Sequence, residues 1–257
     1  GIMMIIVGIL YWKLTQDCTQ GNFKELREQG IQVGSDKKGG MAILLHAARN
    51  YRVWILFGAY AACFGIEIFI HNIVAMYYVE HFSFGLKEAG MAAGIFGLLA
   101  LFARALGGIV SDKVALKSGL DGRTKVLFAM ILMEGLFLIL FSQMNSAMLA
   151  ILVMTIFALF THMACGATYA LVPFIDRDAL GGVAGIIGAG GNVGAVAAGF
   201  LLKGMLDIQT TLMMLGGLVV IAASCVLMIR FSVEHKEKEQ RLFEQAIQDR
   251  NLAEAQN

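Results

Sequence analysis

From residue 52 onward the chain alternates between long apolar runs and short polar breaks. Six runs stand out, over roughly 53–79, 86–111, 125–142, 147–173, 182–203 and 209–231. Each reaches or approaches the roughly 20 residues that a helix needs to cross a bilayer. The pattern predicts an all-α polytopic membrane protein with six spans. An earlier apolar run, residues 2–12, is too short to cross and reads as the end of a truncated helix whose beginning is missing. The chain's opening on Gly1 fits that expectation. Between them, residues 13–52 form a polar connector in which Phe23–Gln29 is expected as a short surface helix and Gly34–Gly40 as a flexible stretch. The tail, residues 232–257, is charged and expected to be a solvated helix leaving the membrane, with Glu237 four residues before Arg241 as a supporting pair.

Basic residues then orient the spans. Seventeen Lys and Arg fall in one alternating set of connectors, which includes residues 13–52, the break at 112–124 and the tail. The opposite set holds only Lys87 and Lys203, and Arg104 lies within a span. By the excess of Lys and Arg in cytoplasmic loops, the connector 13–52 is a cytoplasmic central loop and the C-terminus is cytoplasmic.

Composition agrees: 58% of residues are hydrophobic, 15% are charged, and there is a single proline beside thirty glycines. A net charge of +1 gives no nucleic-acid footprint. The four cysteines are scattered without a CxxC pair, so neither a metal site nor a disulfide framework is expected. No nucleophile–base pair, phosphate loop or cofactor motif is present. No enzymatic activity, catalytic residue or cofactor is expected.

The candidate chemistry is carried by polar residues inside the spans. Arg104 is the sharpest, because a charge near mid-span costs about 2.5–3.5 kcal/mol on insertion scales and defaults to a functional reading. The alternative is a side chain close enough to the helix end to reach water. At 100° per residue, Gly90, Gly94, Gly97, Leu101, Arg104 and Gly108 share one stripe, and the glycines predict that a neighbouring helix approaches this face. Tyr60, Phe64, Glu67, His71 and Tyr78 share another stripe, with Asn72 beside it. That stripe is either a pathway wall with a protonatable pair or a structural Glu–His hydrogen bond. Thr155, Leu159, His162, Gly166 and Tyr169 align in the fourth span, where His162 reads first as a packed, hydrogen-bonded residue. Glu134 has no companion on its face. In the fifth span Gly185, Gly188, Asn192 and Gly199 share one face while Gly190 and Gly194 point the other way. Close packing explains such glycines, and Asn192 beside them adds a donor and an acceptor for a ligand. An unpaired arginine facing a protein-lined cavity suits a small planar oxyanion. The residues alone therefore point to an anion or carboxylate pathway.

Several segments also resemble a known family. Gly108-Ile-Val-Ser-Asp112-Lys113, followed by Arg123, resembles the cytoplasmic loop signature of the major facilitator superfamily, with a longer insertion than usual. Gly188-Ala-Gly190-Gly191-Asn192-Val-Gly194 is similar to the nitrate signature of the nitrate/nitrite porter family. Phe102-Ala-Arg104-Ala-Leu-Gly-Gly resembles that family's arginine helix. Tyr60-Ala-Ala-Cys-Phe64-Gly65-Ile-Glu67, His71-Asn72 and Thr168-Tyr-Ala-Leu-Val-Pro173-Phe look like further segments of its plant, algal and cyanobacterial branch. The resemblance runs from about Asp17 to Arg230. It implies the C-terminal six-helix bundle, residues 53–231, of a twelve-helix transporter that moves nitrate, or nitrite, by alternating access. It further implies substrate contacts from Arg104, Asn192, Tyr60, Phe64, Gly190 and Gly191; a pathway or proton-coupling role for Glu67, His71 and Asn72 comes from their place on or beside one stripe and not from the resemblance. A cytoplasmic gate is implied at Gly108, Asp112, Lys113 and Arg123. The implied partners are nitrate or nitrite, the lipid bilayer (the plasma membrane is the expected one) and the missing N-terminal half of the same transporter. An accessory membrane subunit is left unassigned. A carrier of another small anion or carboxylate, or an anion sensor that does not transport, are the alternatives.

Overall fold

The structure is a computed structural model that describes residues 2–16, 21–30, 40–204, 207–242 and 245. The chain divides into two units, Gly1–Gly39 and Gly40–Asn257. The first holds α1 (Ile2–Leu14) and α2 (Phe23–Glu28). At 13 residues, α1 is about 20 Å long, short of a bilayer crossing. Most of the stretch 34–40 lies outside the described residues.

The second unit carries α3 (Gly40–Ala48), α4 (Tyr51–Tyr60), a π-helical turn (Ala61–Gly65), α5 (Ile66–Phe82), α6 (Leu86–Ser142), α7 (Ala147–Leu171), a 3-10 turn (Val172–Phe174), α8 (Leu180–Lys203) and α9 (Ile208–Val226). The polar connector expected through residue 52 thus ends at α3, whose Ala47 is buried against Gly182 of α8. Asn50 caps α4 by accepting the Arg52 N–H at 3.1 Å. The π-helical turn then joins α4 and α5 into one apolar rod, residues 51–82.

Among the described residues, five helical stretches are long and apolar enough to cross a membrane. One of them, α6, consists of two arms. Phe96 packs on Phe157 with ring centroids 5.8 Å apart, and Phe137 stacks on Phe160 at the same separation. In a straight helix Phe96 and Phe137 would stand about 60 Å apart, so both can reach α7 only if α6 folds back on itself. The reversal is at Gly119, with φ 58° and ψ −147°, a region that residues with a Cβ avoid. The two arms of α6 fall on two of the six apolar runs of the hydropathy pattern. The expected connector at 112–124 is instead helical on both sides of this one residue. The last apolar helix is also shorter than its apolar run, because α9 ends at Val226.

Backbone contact between helices is made by glycines. A Cβ on Gly65 would lie 2.8 Å from the Gly194 backbone, and Cβ atoms on Gly190 and Gly194 would land on the carbonyls of Phe57 and Ala61. So α8 rests directly on α4 and the π-helical turn. Large aromatic side chains fill the remaining core, with Tyr77, Tyr78, Phe96, Phe141 and Phe157 almost wholly buried.

Candidate functional site: a paired arginine on an open helix face

The π-helical turn places Phe64 on the edge of the bundle and aims Glu67, three residues later, inward. Gly191 of α8 provides the seat, since a Cβ there would collide with the Phe64 ring. Phe64 stacks on Tyr60 at 5.0 Å and 14°, and Tyr60 meets Tyr169 of α7 edge-on at 5.1 Å. The Arg104 guanidinium lies 5.3 Å from the centre of the Phe64 ring, a cation–π distance. Two sequence-predicted aromatics and the arginine therefore meet at one place.

The arginine is not unpaired. Its Nη2 donates to both Glu67 carboxylate oxygens, at 2.6 and 2.7 Å. The spacing of Arg104 along its own helix reveals nothing about an acid on α5, so the sequence reading missed this pair. Glu67 is 6% exposed in its side chain, whereas Arg104 is 39% exposed and keeps one edge open. Arg104 Nε is buried without a hydrogen-bond partner. A buried donor left unmet is costly, and an incoming acceptor would satisfy it.

Further groups crowd Glu67. His71 Nε2 is 3.9 Å from Oε1, on the same helix one turn on. His162 Nδ1 of α7 is 3.3 Å from Oε2, and the Cys165 thiol is 3.5 Å from the same oxygen. His162 is fully buried and bonded through Nε2 to the Phe96 carbonyl at 3.0 Å. It is packed, as expected, and it also faces the acid. Glu134, on the second arm of α6, is completely buried with both oxygens unpartnered. Asn72 turns away from this network and donates to the Ile68 carbonyl at 2.7 Å.

The glycine stripe of the second span is approached by a neighbouring helix at Gly97, where a Cβ would lie 3.2 Å from the His71 ring, and is otherwise open. Gly90, Gly94 and Gly108 have no neighbour where a Cβ would point, and Leu101 is 70% exposed. The closely packed glycine is Gly107, against the Met163 backbone, reciprocated by Gly166 on the Arg104 carbonyl. Arg104 thus lies between an α7 contact and an uncovered face. On α8, Gly190 and Gly191, expected as substrate contacts, are packed under Phe57 and Phe64. Asn192 is exposed on the opposite face rather than buried. Periodicity identifies residues that share a face; it does not say which face a neighbour covers.

At the α6 reversal Arg123 and Asp112 join at 2.5 Å. Arg123 also bonds the Ala170 carbonyl at 3.4 Å and lies 4.7 Å over the Phe174 ring. The long insertion between the two residues is therefore bridged. Lys113 is exposed and Gly108 is uncrowded. The tail does not simply leave the bundle. Residues 233–242 are helical and dock here, with Lys236 on Asp121 at 2.6 Å and the His235 ring on the Phe174 carbonyl at 3.0 Å. Glu239, 6% exposed, grips Arg177 through Nε and Nη2 at 2.5–3.2 Å and raises its pKa. A cavity of about 800 Å³ opens between the tail and the reversal, lined by Asp112, Leu116, Arg123, Phe174 and Lys236 among others.

Residues 55–254 match the Major Facilitator Superfamily. The chain belongs to that superfamily. It is an integral, multi-pass membrane protein of a transporter family, not an enzyme family. Within the superfamily it is similar to proteins described as nitrate transporters. It is 37% identical over 210 residues to high affinity nitrate transporter 2.5 of Arabidopsis thaliana, covering 81% of this chain and 41% of that one. It is 36% identical over 198 residues to nitrate transporter 2.2 of Chlamydomonas reinhardtii, covering 76% and 38%. It is 33% identical over 148 residues to the nitrate/nitrite transporter NrtP of Picosynechococcus, covering 57% and 27%. The chain thus spans about two fifths or less of the length of these relatives.

Proposed function

We propose that this chain is the C-terminal six-helix half of a transporter that carries nitrate, and nitrite as a close analogue, by alternating access against an N-terminal half. The observation that carries this reading is Arg104. It is a charge within a span, backed by Phe64 and Tyr60, with an unmet buried donor and an edge open on the uncovered helix face. That face is where a second half would dock, placing the anion between the halves as repeat-built transporters do. Asn192 is exposed on α8 and lines the same cleft in this reading. The Asp112–Arg123 bridge closes the cytoplasmic side, the C-terminus is cytoplasmic and the plasma membrane houses the protein. Nitrate suits the arginine because it is planar, monovalent and weakly hydrated enough to surrender water to a guanidinium and ring faces.

Arg104→Lys in the complete transporter keeps the charge and removes the planar donor set. Uptake of isotopically labelled nitrate should fall by at least tenfold at equal surface expression. Unchanged uptake would refute the assignment. One observation favours a second reading, a small carboxylate as substrate: Glu67 already presents a carboxylate to Arg104. Competition of nitrate uptake by excess formate or acetate decides between them.

A further inference from the structure

Lys113 takes no part in the Asp112–Arg123 bridge, although it neighbours Asp112 and lines the cavity at the α6 reversal. The other charged side chains lining that cavity already have partners. Asp112 and Arg123 hold each other, Lys236 holds Asp121, Glu239 holds Arg177, and Glu237 lies 3.7 Å from Arg241. Among the described residues Lys113 makes no ion pair, and it is exposed. The cavity wall therefore carries one uncompensated positive charge.

The cavity also continues onto the outside of the bundle. Leu98, Phe102, Leu106, Ile109 and Leu116 recur every three or four residues on the first arm of α6, and all are exposed. At 100° per residue they fall within about 80° of one another, and Lys113 falls among them. That stripe is turned about 120° from the centre of the glycine stripe that carries Arg104. It looks away from the face assigned to a second half, and an exposed apolar face on a membrane helix meets lipid. From Phe102 to Leu116 it runs about 21 Å, enough to cover the roughly 15 Å of hydrocarbon in one leaflet. Its polar end is the cavity of about 800 Å³, where Leu120 and Phe174 add apolar surface and the tail helix forms the far wall. Gly119 lines the opening without a side chain.

We propose that this cavity binds the headgroup of an acidic phospholipid, with the phosphate on Lys113 and an acyl chain along the stripe from Leu116 to Phe102. An acidic headgroup neutralises the lone lysine. A choline headgroup brings its own cation to the same place and gains less. A free phosphate matches the charge but leaves the apolar stripe uncovered. In the orientation proposed above, the cavity opens at the cytoplasmic leaflet, which is the one that carries anionic lipid. Bound there, the lipid joins the first arm of α6 to the tail helix. The site depends on membrane insertion and not on the ion carried, so its failure leaves the nitrate reading standing.

The test uses the purified, delipidated complete transporter in detergent, carrying Leu116→Trp as a fluorescent reporter at the mouth of the cavity. Phosphatidylglycerol and phosphatidylcholine with the same brominated acyl chains, which quench an indole on contact, are titrated in turn. The added fluorescence should be quenched by phosphatidylglycerol at roughly fivefold lower concentration, the worth of one lysine beside an anionic lipid. Adding Lys113→Gln should bring the two lipids to parity, whereas Lys87→Gln, at the other end of the same arm, should keep the preference. Excess inorganic phosphate should not relieve the quenching. Parity in the reporter protein, a preference that survives Lys113→Gln, or release of the lipid by inorganic phosphate overturns the assignment. If the reporter protein fails to fold, mass spectrometry of the intact transporter compares the phosphatidylglycerol retained by wild type and by Lys113→Gln. Greater retention by wild type supports the site, and equal retention overturns it.

Discussion

Gly107 and Gly108 are neighbours in sequence with opposite surroundings, and that contrast supports a sharp prediction. A Cβ on Gly107 would lie 2.7 Å from the Met163 Cα and carbonyl carbon and nearer still to its oxygen, where ordinary contact begins at 3.4 Å. To clear that oxygen, helix α6 would have to retreat from α7 by about 1.4 Å, and backbone atoms cannot swing aside as a side-chain tip can. Overpacking of this kind costs about 1–3 kcal/mol. Arg104 sits one turn away on the same arm, so the retreat also draws it off Glu67 and the Phe64 ring. A misplacement near 1 Å in a positioned group can cost about a hundredfold in function. Gly107→Ala in the complete transporter should therefore lower the unfolding temperature in detergent and reduce nitrate uptake per folded molecule at least tenfold. Gly108→Ala meets nothing within this half and leaves the α6–α7 spacing untouched, so it should lower the unfolding temperature less than Gly107→Ala does. Equal destabilisation by the two substitutions would refute the packing argument. A destabilised Gly107→Ala protein with full uptake would refute the link from helix spacing to Arg104.

Two further expectations concern the ends of the spans. Glu239→Ala removes charged hydrogen bonds to Arg177 that are worth about 1–2 kcal/mol, so amide hydrogen exchange across residues 235–241 should quicken about five- to thirtyfold; unchanged exchange would mean the tail is held elsewhere. Asp207 caps α9 by accepting the Thr210 N–H at 3.0 Å, and the hydrogen bonds from Thr210 lower its pKa. Its stabilisation is complete above the ordinary carboxylate range and is lost as pH falls through the lowered folded value. Acidification should accelerate exchange at the first turn of α9, and Asp207→Asn, which keeps the acceptor, should flatten that dependence.

The membrane crossings were legible because a bilayer imposes a minimum length on apolar runs, and that constraint needs no knowledge of neighbours. Even the hairpin inside α6 left two runs of adequate length, although Gly119 alone makes the turn. Arg104, Glu67, Tyr60 and Phe64 could each be singled out because polar or aromatic residues inside a span demand a reason. Their meeting could not, since it depends on how three helices cross. The same limit explains why most of the α6 glycine stripe is open while Gly190 and Gly191 of α8 are packed. Gly107 looks no different from Gly108 until Met163 is placed opposite it. The tail's helix and its Glu237–Arg241 pair are legible in the sequence, but its docking is not: its charges suit water equally well, and Arg177 and Asp121 on other segments bring Glu239 and Lys236 down onto the bundle.

The π-helical turn at Ala61–Gly65 sets the phase of everything that follows it on the rod. Such a turn holds about one residue more than an α-helical turn, and each residue advances the side-chain direction by about 100°. Tyr60, ahead of the turn, and Glu67, behind it, are thus aimed independently, like two hands of a clock set by a single inserted tick. Relaxing those five residues to a plain α-helix by dropping one would leave every chemical group of the cluster in the chain and still point Glu67 away from both Arg104 and His162. The charge network is therefore an arrangement in register as much as a set of residues, and a change in chain length here would erase it without altering any of its members.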